Sequence, residues 1–366
     1  MTTMPEDDLA MSKQDNVIDV AIIGAGMAGL SCARRLADAG RQVVLFDKSR
    51  GVGGRMATRR REQSSFDHGA QYFTVHDAAF AEQVADWQQA GAVAEWTGPI
   101  YASDADGQLA PTSAQTRYVG TPRMSALGRH LLADLPCYLS HRLTTLHHDG
   151  DVWHLSFDGQ PEQLARQVVL ALPAPQLAAL FAPEDEMHQL AASVQMQPTW
   201  AVMIDTDEVL DVPFDGCFVN HGPLSWVACN SSKPERQPLD QAQSWVLHAS
   251  SAWSQEHVDD HVEHVQAALI AAFGDLIDQP LKVDMSKISA HRWLYALAEQ
   301  PLEQGHAWDA MRGLGVAGDW LHGSRVEGAW LSGQRLAEQM LQLVNRIPTA
   351  SALDERYTVF GSDAVH

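Results

Sequence analysis

Val20-Ala21-Ile22-Ile23-Gly24-Ala25-Gly26-Met27-Ala28-Gly29 is a short β-branched run that ends in a glycine turn. Such a run suits a parallel strand buried on both faces. Behind the turn, Leu30, Ala33, Arg34, Leu36 and Ala37 recur at helical spacing as far as Ala39. Gly40 stops the helix, and Arg41 to Phe46 reads as a second strand. The unit is βαβ. Gly24 makes the tight turn, Gly26 lets the backbone approach a pyrophosphate, and Gly29 lets the helix pack closely on the strand. Met27 and Ala28 open the helix, whose free N–H groups and dipole favour negative charge. Asp47, eighteen residues after Gly29, closes the unit where a carboxylate can accept hydrogen bonds from an adenosine ribose. Taken alone, Asp47 is equally a strand-end surface acid.

Outward from this unit, Lys48-Ser49-Arg50-Gly51-Val52-Gly53-Gly54-Arg55-Met56-Ala57-Thr58 is a second glycine cluster with two arginines. The glycines allow positive φ and close backbone approach, and Arg50 and Arg55 can pair with phosphate. Such a loop either embraces a dinucleotide or is simply flexible and basic. Its place directly after Asp47 favours the former.

At 366 residues the chain exceeds the usual size of one core, so two intertwined domains are expected. Lysine and arginine number 25 against 46 acids, a net charge of −21. That balance disfavours nucleic acid or an anionic membrane as partner, and any anionic ligand must be held by a local site. The four cysteines, Cys32, Cys137, Cys217 and Cys229, form no CxxC pair, so neither a zinc site nor a disulfide framework is expected, and a cytoplasmic location fits. No metal is expected at all, His68 and His76 being read as core or surface histidines. No stretch is long and apolar enough for a membrane helix, and residues 1–16 and 345–366 read as loose tails.

The βαβ unit followed by Arg50-Gly-x-Gly-Gly-Arg55, and then by Phe66-Asp67-His68-Gly69-Ala70-Gln71-Tyr72-Phe73, resembles the FAD-dependent amine-oxidase superfamily. Within it the chain looks like a bacterial member of the renalase branch. The similarity runs from about Val17 to Leu343 and includes Pro198-Thr199-Trp200-Ala201, His291-Arg292-Trp293, Gly318-Asp319-Trp320 and Arg325-Val326-Glu327-Gly328-Ala329-Trp330. It implies an α/β fold of the two-domain p-hydroxybenzoate-hydroxylase type, with a Rossmann-type FAD domain and a mixed-sheet substrate domain. It also implies noncovalent FAD, and oxidation of a dihydronicotinamide compound. The expected division is 17–77, 118–173 and 286–344 for the FAD domain, and 78–117 and 174–285 for the substrate domain.

Residues can be assigned on the same footing. For the cofactor these are Gly24, Gly26, Met27, Ala28, Gly29, Asp47, Lys48, Gly54 and Arg55, together with Ala70, Gln71, Leu143 beside the adenine, Asp319 on the ribityl chain, and Val326. Gly69-Ala70 offers backbone without bulk beside a flat ring, which puts Tyr72, Phe73 and Thr74 at a substrate pocket. Tyr72 is otherwise a core tyrosine with a satisfied hydroxyl. The resemblance adds Thr199, Trp200, His248, Trp293 and Trp320 to that pocket, although most tryptophans of this chain read as core. His248, a candidate catalytic group with Tyr72 and Arg325, stands equally as a satisfied core histidine.

Secondary structure downstream reads as a helix from Ala78 to Gly91, short strands to Arg117, and another helix from Pro122 to Leu135. Strands are expected at Cys137–Leu146, Val152–Phe157 and Val168–Leu172, and again around Trp200, Phe218, Trp226 and Trp245. A further helix is expected from His257 to Phe273. Gly313 to Asp319 is a strand ending in Gly-Asp, after which Arg325 to Ala329 opens a helix aimed at the flavin pyrimidine.

Two departures bear on substrate class. Amine oxidases of the superfamily carry a tyrosine ahead of the Glu-Gly-Ala, one wall of an aromatic sandwich for the amine; this chain has Arg325-Val326, which repels a protonated amine. Covalent members carry a cysteine shortly before the Gly-Asp strand, and the nearest here is Cys229. Arg325 and Glu327 are otherwise a solvated ion pair. Three functions stand: an oxidase taking hydride from 2- or 6-dihydro-NAD(P) to flavin N5 and reducing O2 to H2O2; an oxidase of a small amine; and a non-catalytic FAD-binding redox sensor. Hydride loss from a dihydronicotinamide leaves an aromatic cation, so the first needs no general base.

Overall fold

The computed structural model describes residues 17–236 and 242–344; the expected tails at 1–16 and 345–366 lie outside the described residues. β1 (Val17–Ile23), α1 (Met27–Asp38) and β2 (Val43–Asp47) form the opening βαβ unit. A two-stranded pair follows, β3 (Thr58–Arg60) with β4 (Ser65–Asp67), and then α2 (Ala78–Gln89). The Asp77 carboxylate caps α2 by accepting from the N–H groups of Ala79 and Phe80. Next come β5 (Val93–Glu95), β6 (Ile100–Ser103), β7 (Leu109–Pro111), β8 (Tyr118–Gly120) and α3 (Met124–Leu132). The chain continues through β9 (Cys137–Leu139), β10 (Leu143–His148), β11 (Trp153–Phe157), β12 (Gln160–Leu170), α4 (Ala174–Ala178) and α5 (Glu186–Ala192). β13 (Met196–Asp205), β14 (Gly216–Val219), β15 (Leu224–Cys229) and β16 (Ser244–Ala249) lead to α6 (Ser251–Glu256) and α7 (Val262–Leu276). β17 (Ile288–Ala298), β18 (His306–Asp309), β19 (Leu314–Ala317) and α8 (Val326–Val344) complete the described chain.

Two sheets organise these elements. The first has a parallel centre in the order β9-β2-β1-β12-β19, in which Ile23 sits beside both Phe46 and Leu170, and Val168 beside Leu314. β11 and β10 extend it antiparallel from the first half of β12, and β18 pairs with β19. Val20, Ile22, Val43 and Leu45 face α1 and α8, whereas Ala21, Ile23, Val168 and Leu170 face α4 and α5. Burial on both faces explains the unbroken apolar runs of these strands. α1 and α8 cross closely: a Cβ on Gly333 would stand 2.2 Å from the Ala28 carbonyl oxygen.

The second sheet runs β17-β13-β16-β15-β14-β6-β7 and is antiparallel apart from the β14–β6 pair. One face, bearing Trp200, Val202, Ile204, Trp245 and Leu247, packs on α7 through Val265, Leu269 and Phe273. The other face turns toward the first sheet.

Several expectations are corrected. Cys137–Leu146 is two strands, broken at Ser140 (φ +57°), because β9 joins β2 while β10 joins β11. Val168–Leu172 is the end of the longer β12. His257–Phe273 is not one helix, since α6 ends at Glu256 and α7 begins at Val262 after His261 in extended conformation. Ile288–Ala298, assigned to the cofactor domain, is the edge strand of the second sheet. Conversely α4 and α5, assigned to the substrate domain, bury Leu177, Met187 and Ala191 against the first sheet.

Candidate active site

The parallel strands all end on one side, and the residues at or just past their ends, Gly24, Asp47, Leu139, Ala171 and Gly318, border a single cavity of ≈ 2000 Å³. That is where open α/β sheets bind ligands. β13, β16 and β17 of the second sheet supply the opposite wall through Thr199, His248, His291 and Trp293.

At one end the glycines divide their roles sterically. Gly24 has φ +107°, and a Cβ there would lie 2.4 Å from the Ala171 carbonyl oxygen; a Cβ on Gly29 would lie 1.9 Å from that of Gly24. Both positions therefore fix the strand–helix packing, and Gly29 does not border the cavity. Gly26 does border it, and a Cβ there would meet no atom within 4 Å. The bare backbone leaves room for a phosphate chain in front of the α1 N-terminus, whose first residues Met27 and Ala28 also line the space. The second glycine loop is docked here: Gly53 N–H donates to the Ala25 carbonyl oxygen at 2.8 Å, and Gly54 (φ +53°) lies against Gly26. Asp47 accepts from the N–H groups of Ala25 and Ser49, each at 2.7 Å, so the two glycine loops meet at its carboxylate. Lys48 donates to the Gln176 side chain at 3.0 Å, and Leu143 lines the wall nearby.

At the other end Arg55 makes a two-pronged pair with Asp319, at 2.5 and 2.9 Å, and also donates to the Ala296 carbonyl oxygen at 2.8 Å. One arginine thus ties the glycine loop, β17 and the end of β19 together. Gly69 has no space for a side chain, because a Cβ would stand 1.9 Å from the Arg55 carbonyl oxygen and 3.2 Å from the Trp293 ring. Ala70 N–H donates to that same Arg55 oxygen at 2.8 Å. The backbone before it is clamped twice: the His68 carbonyl oxygen accepts from Trp293 Nε1 at 2.9 Å and from His248 Nε2 at 3.0 Å. A carbonyl only accepts, so His248 Nε2 carries the hydrogen. Burial pushes the His68 and His248 imidazoles down to about 4 and lowers His291, so all three are neutral near pH 7. His68 stacks on Trp293 and meets His291 edge-on, with ring centroids at 5.2 and 4.9 Å.

Of the remaining candidates, Tyr72, Phe73, Thr74, Arg325 and Val326 line the cavity. Tyr72 packs beside Trp226 at 5.4 Å, and the Arg117 guanidinium lies over its ring. Phe73 is buried and bonded through its backbone to Tyr118, and Thr74 Oγ1 lies 3.1 Å from His76 Nε2. Arg325 is exposed at the rim. It is not paired with Glu327, which is buried and accepts from the backbone N–H groups of His76 and Asp77 at 2.7 and 2.8 Å. Trp320 forms wall only, being fully buried with its indole donating to the Leu172 carbonyl oxygen at 3.0 Å.

Besides Gly29, two expected residues stand away from the cavity. Trp200 faces α7 because strand side chains alternate and its neighbour Thr199 takes the cavity side; its Nε1 donates to the His257 carbonyl oxygen at 2.9 Å. Gln71 points inward, donating to the Asp67 carbonyl oxygen and accepting from Lys233 Nζ at 3.1 Å. It belongs to a buried cluster in which Asp67 accepts from Arg236 at 2.6 Å, Thr58 at 2.7 Å and the Met124 N–H at 3.0 Å. Lys233, fully buried beside Asp67, is pushed down to about 8 by burial. These cations hold the Asp67 carboxyl below the usual range against its own burial.

Sequence reading missed His68 and His291 as cavity residues and missed the Asp67 cluster. His68 carried a signal, its adjacency to Gly69-Ala70; Lys233 and Arg236 carried none, since they lie far from Asp67 along the chain. The charge of the cavity was missed as well. Among the described residues nine cations border it, Arg50, Arg60, Arg123, Arg129 and Arg142 among them, against three acids, Asp47, Asp319 and Glu327; one of the nine, Arg292, turns its guanidinium to the Val258 carbonyl oxygen and Asp259 instead. Each acid is already engaged by N–H groups or by Arg55.

Comparison with known proteins fits this geometry. Residues 22–86 match the NAD(P)-binding Rossmann-like domain, and residues 101–341, more than half of the chain, match the family described as Flavin containing amine oxidoreductase. Renalase of Mus musculus is 22% identical over 303 residues, covering 76% of this chain and 84% of its own. A 4,4'-diapophytoene desaturase of Staphylococcus haemolyticus is 43% identical over 58 residues, 16% of this chain and only 12% of the desaturase. Cyclohexylamine oxidase from Brevibacterium oxydans IH-35A superposes with a TM-score of 0.72 at 13% identity, over 90% of this chain and 100% of that one.

Proposed function

Because the chain belongs to the flavin containing amine oxidoreductase family, its cofactor is FAD, and we propose that it is an FAD-dependent oxidase of an anionic dihydronicotinamide, the 2- or 6-dihydro form of NAD(P). The observation that carries this reading is the charge of the cavity, where, with Arg292 set aside as paired with Asp259, eight described cations stand against three acids that are already engaged. A protonated amine finds no free carboxylate there, and the neutral imidazoles of His68 and His248 offer it no charge. A ligand with phosphates is favoured wherever it passes the arginines. The renalase resemblance supplies the substrate class.

The flavin, when bound, supplies the redox chemistry, accepting a hydride and passing the electrons to dioxygen with release of hydrogen peroxide. The chain's own groups do the rest. Asp47, Gly26 and the α1 N-terminus would hold the dinucleotide end. The doubly clamped His68 carbonyl fixes the Gly69-Ala70 backbone, which would bear on the cofactor's ring system, Tyr72 and Trp293 would line the substrate side, and Arg325 at the rim would attract the anionic substrate. Attachment is noncovalent: Cys32, Cys217 and Cys229 are buried in the packing, Cys137 lies on β9, and none borders the cavity.

The test is anaerobic. An equilibrated pool of dihydronicotinamide isomers mixed with purified holoprotein bleaches the flavin band, and a panel of small amines leaves it unchanged. Bleaching by an amine alone, or by neither class, overturns the proposal.

A further inference from the structure

The segment between α6 and α7 reads His257-Val258-Asp259-Asp260-His261-Val262-Glu263-His264, an unusual density of metal-ligand residue types on the face of the second sheet turned away from the cavity. Three of these converge. Asp260 Oδ2 lies 2.7 Å from His257 Nδ1 and 2.8 Å from His264 Nδ1, and the donor atoms of all three lie within 4.8 Å of one another. We propose that His257, Asp260 and His264 bind one divalent transition-metal ion of the zinc, copper and nickel class.

The physical case begins with preorganisation. His257 is held by its ring, which stacks on Trp253 with centroids 4.1 Å apart, and by its carbonyl oxygen, which accepts from the buried Trp200. The next carbonyl, that of Val258, accepts from Arg292, whose guanidinium also pairs with Asp259 at 3.1 Å. His264 sits in the first turn of α7, and the extended His261 at the helix entry brings Asp260 back to its imidazole. Both imidazoles already aim the same nitrogen at one carboxylate oxygen. Replacing the shared hydrogens by a metal ion needs the three atoms to part only slightly, since zinc takes ligands at about 2.0–2.2 Å in a tetrahedron whose edges are somewhat over 3 Å. Water completes the shell, because all three side chains reach solvent. Two imidazoles and one carboxylate select borderline ions over magnesium or calcium, with copper the tightest. A net charge of −21 raises the local concentration of any cation.

The experiment uses the full FAD-loaded chain without a polyhistidine tag, stripped with a chelator, and equilibrium dialysis against Zn2+, Cu2+ and Mg2+. One equivalent of Zn2+ is retained, Cu2+ binds more tightly, and Mg2+ does not bind. H264A, at a side chain 60% exposed and so harmless to folding, and D260N each weaken Zn2+ by at least about tenfold, the scale on which even outer-shell losses act. H261A, outside the triad, changes it by less than about twofold. Cu2+ quenches part of the tryptophan emission, and that part is smaller in W253F, Trp200 beside His257 accounting for the rest. Lack of a stoichiometric equivalent, retention of wild-type affinity in either H264A or D260N, or quenching undiminished in W253F overturns the proposal.

Discussion

Asp47 is expected at an adenosine ribose from its place at the end of the βαβ unit, and its carboxylate joins two backbone N–H groups from the two glycine loops. Asp47→Ala strands both donors and weakens FAD retention by ~1–3 kcal/mol, measured as the FAD dissociation constant by fluorescence; Asp47→Asn, which keeps one acceptor, loses less. Arg325 is a rim residue, so its charge acts through partly screening solvent. Arg325→Met slows anaerobic flavin reduction by about tenfold, roughly 1.4 kcal/mol, with flavin content unchanged in the absorbance spectrum. His248 gives the pH dependence. Its folded value of about 4 lies below the ordinary 6.5, so the unfolded chain binds the extra proton between those values. Stability is therefore lost as pH falls from about 6.5 toward 4, by up to a few kcal/mol. His248→Gln, which keeps a donor for the His68 carbonyl oxygen, flattens that slope in thermal melts from pH 7 to 4. At this scale the sequence showed which residue types gather, and strand alternation decided which of two neighbours, Thr199 or Trp200, reaches the site.

Elements were legible where one physical signal dominated. The apolar run, glycine turn and helical stripe of β1, α1 and β2 left no competing reading, and the C-terminal strand and helix were found by the same logic. Reading failed where a short polar segment decided the outcome. Ser140 in left-handed conformation splits β9 from β10, and His257 to His261 splits α6 from α7 through side-chain bonding that competes with the helix. The α1–α8 crossing is a contact no local pattern reveals, because Gly333 matters only against the Ala28 carbonyl oxygen of a helix some three hundred residues earlier. Gly333→Val forces the helices apart and destabilises the protein by ~1–3 kcal/mol in denaturant melts, with part of the effect passed to FAD affinity since Ala28 lines the cavity.

In the whole molecule a buried charge cluster ties the β3–β4 pair to α3 and to the segment after β15. Asp67 on β4 is bonded to Arg236 and Lys233 from the segment after β15, to Thr58 on β3 and to the N–H of Met124 on α3. Asp67→Asn removes the only acid the two buried cations are paired with among the described residues. The loss is 3–5 kcal/mol, about the cost of an uncompensated buried charge, and appears as a lower midpoint in urea melts. Sequence reading found two domains but misplaced their seams, since the hydrophobic pattern of β17 does not say which sheet it joins, and α4 and α5 carry no mark of the sheet they cover. Parallel order has a further consequence. The central strands pair β1 with β12 and β12 with β19, so the last described strand completes the sheet that the first described strand began. On a ribosome adding roughly 5–20 residues per second, the glycine turn waits about 15–60 s for Asp319 to emerge. Until then the nascent chain has half a cradle and nothing to close it, so cofactor capture waits for β19 and α8, and a chain terminated before them stays colourless.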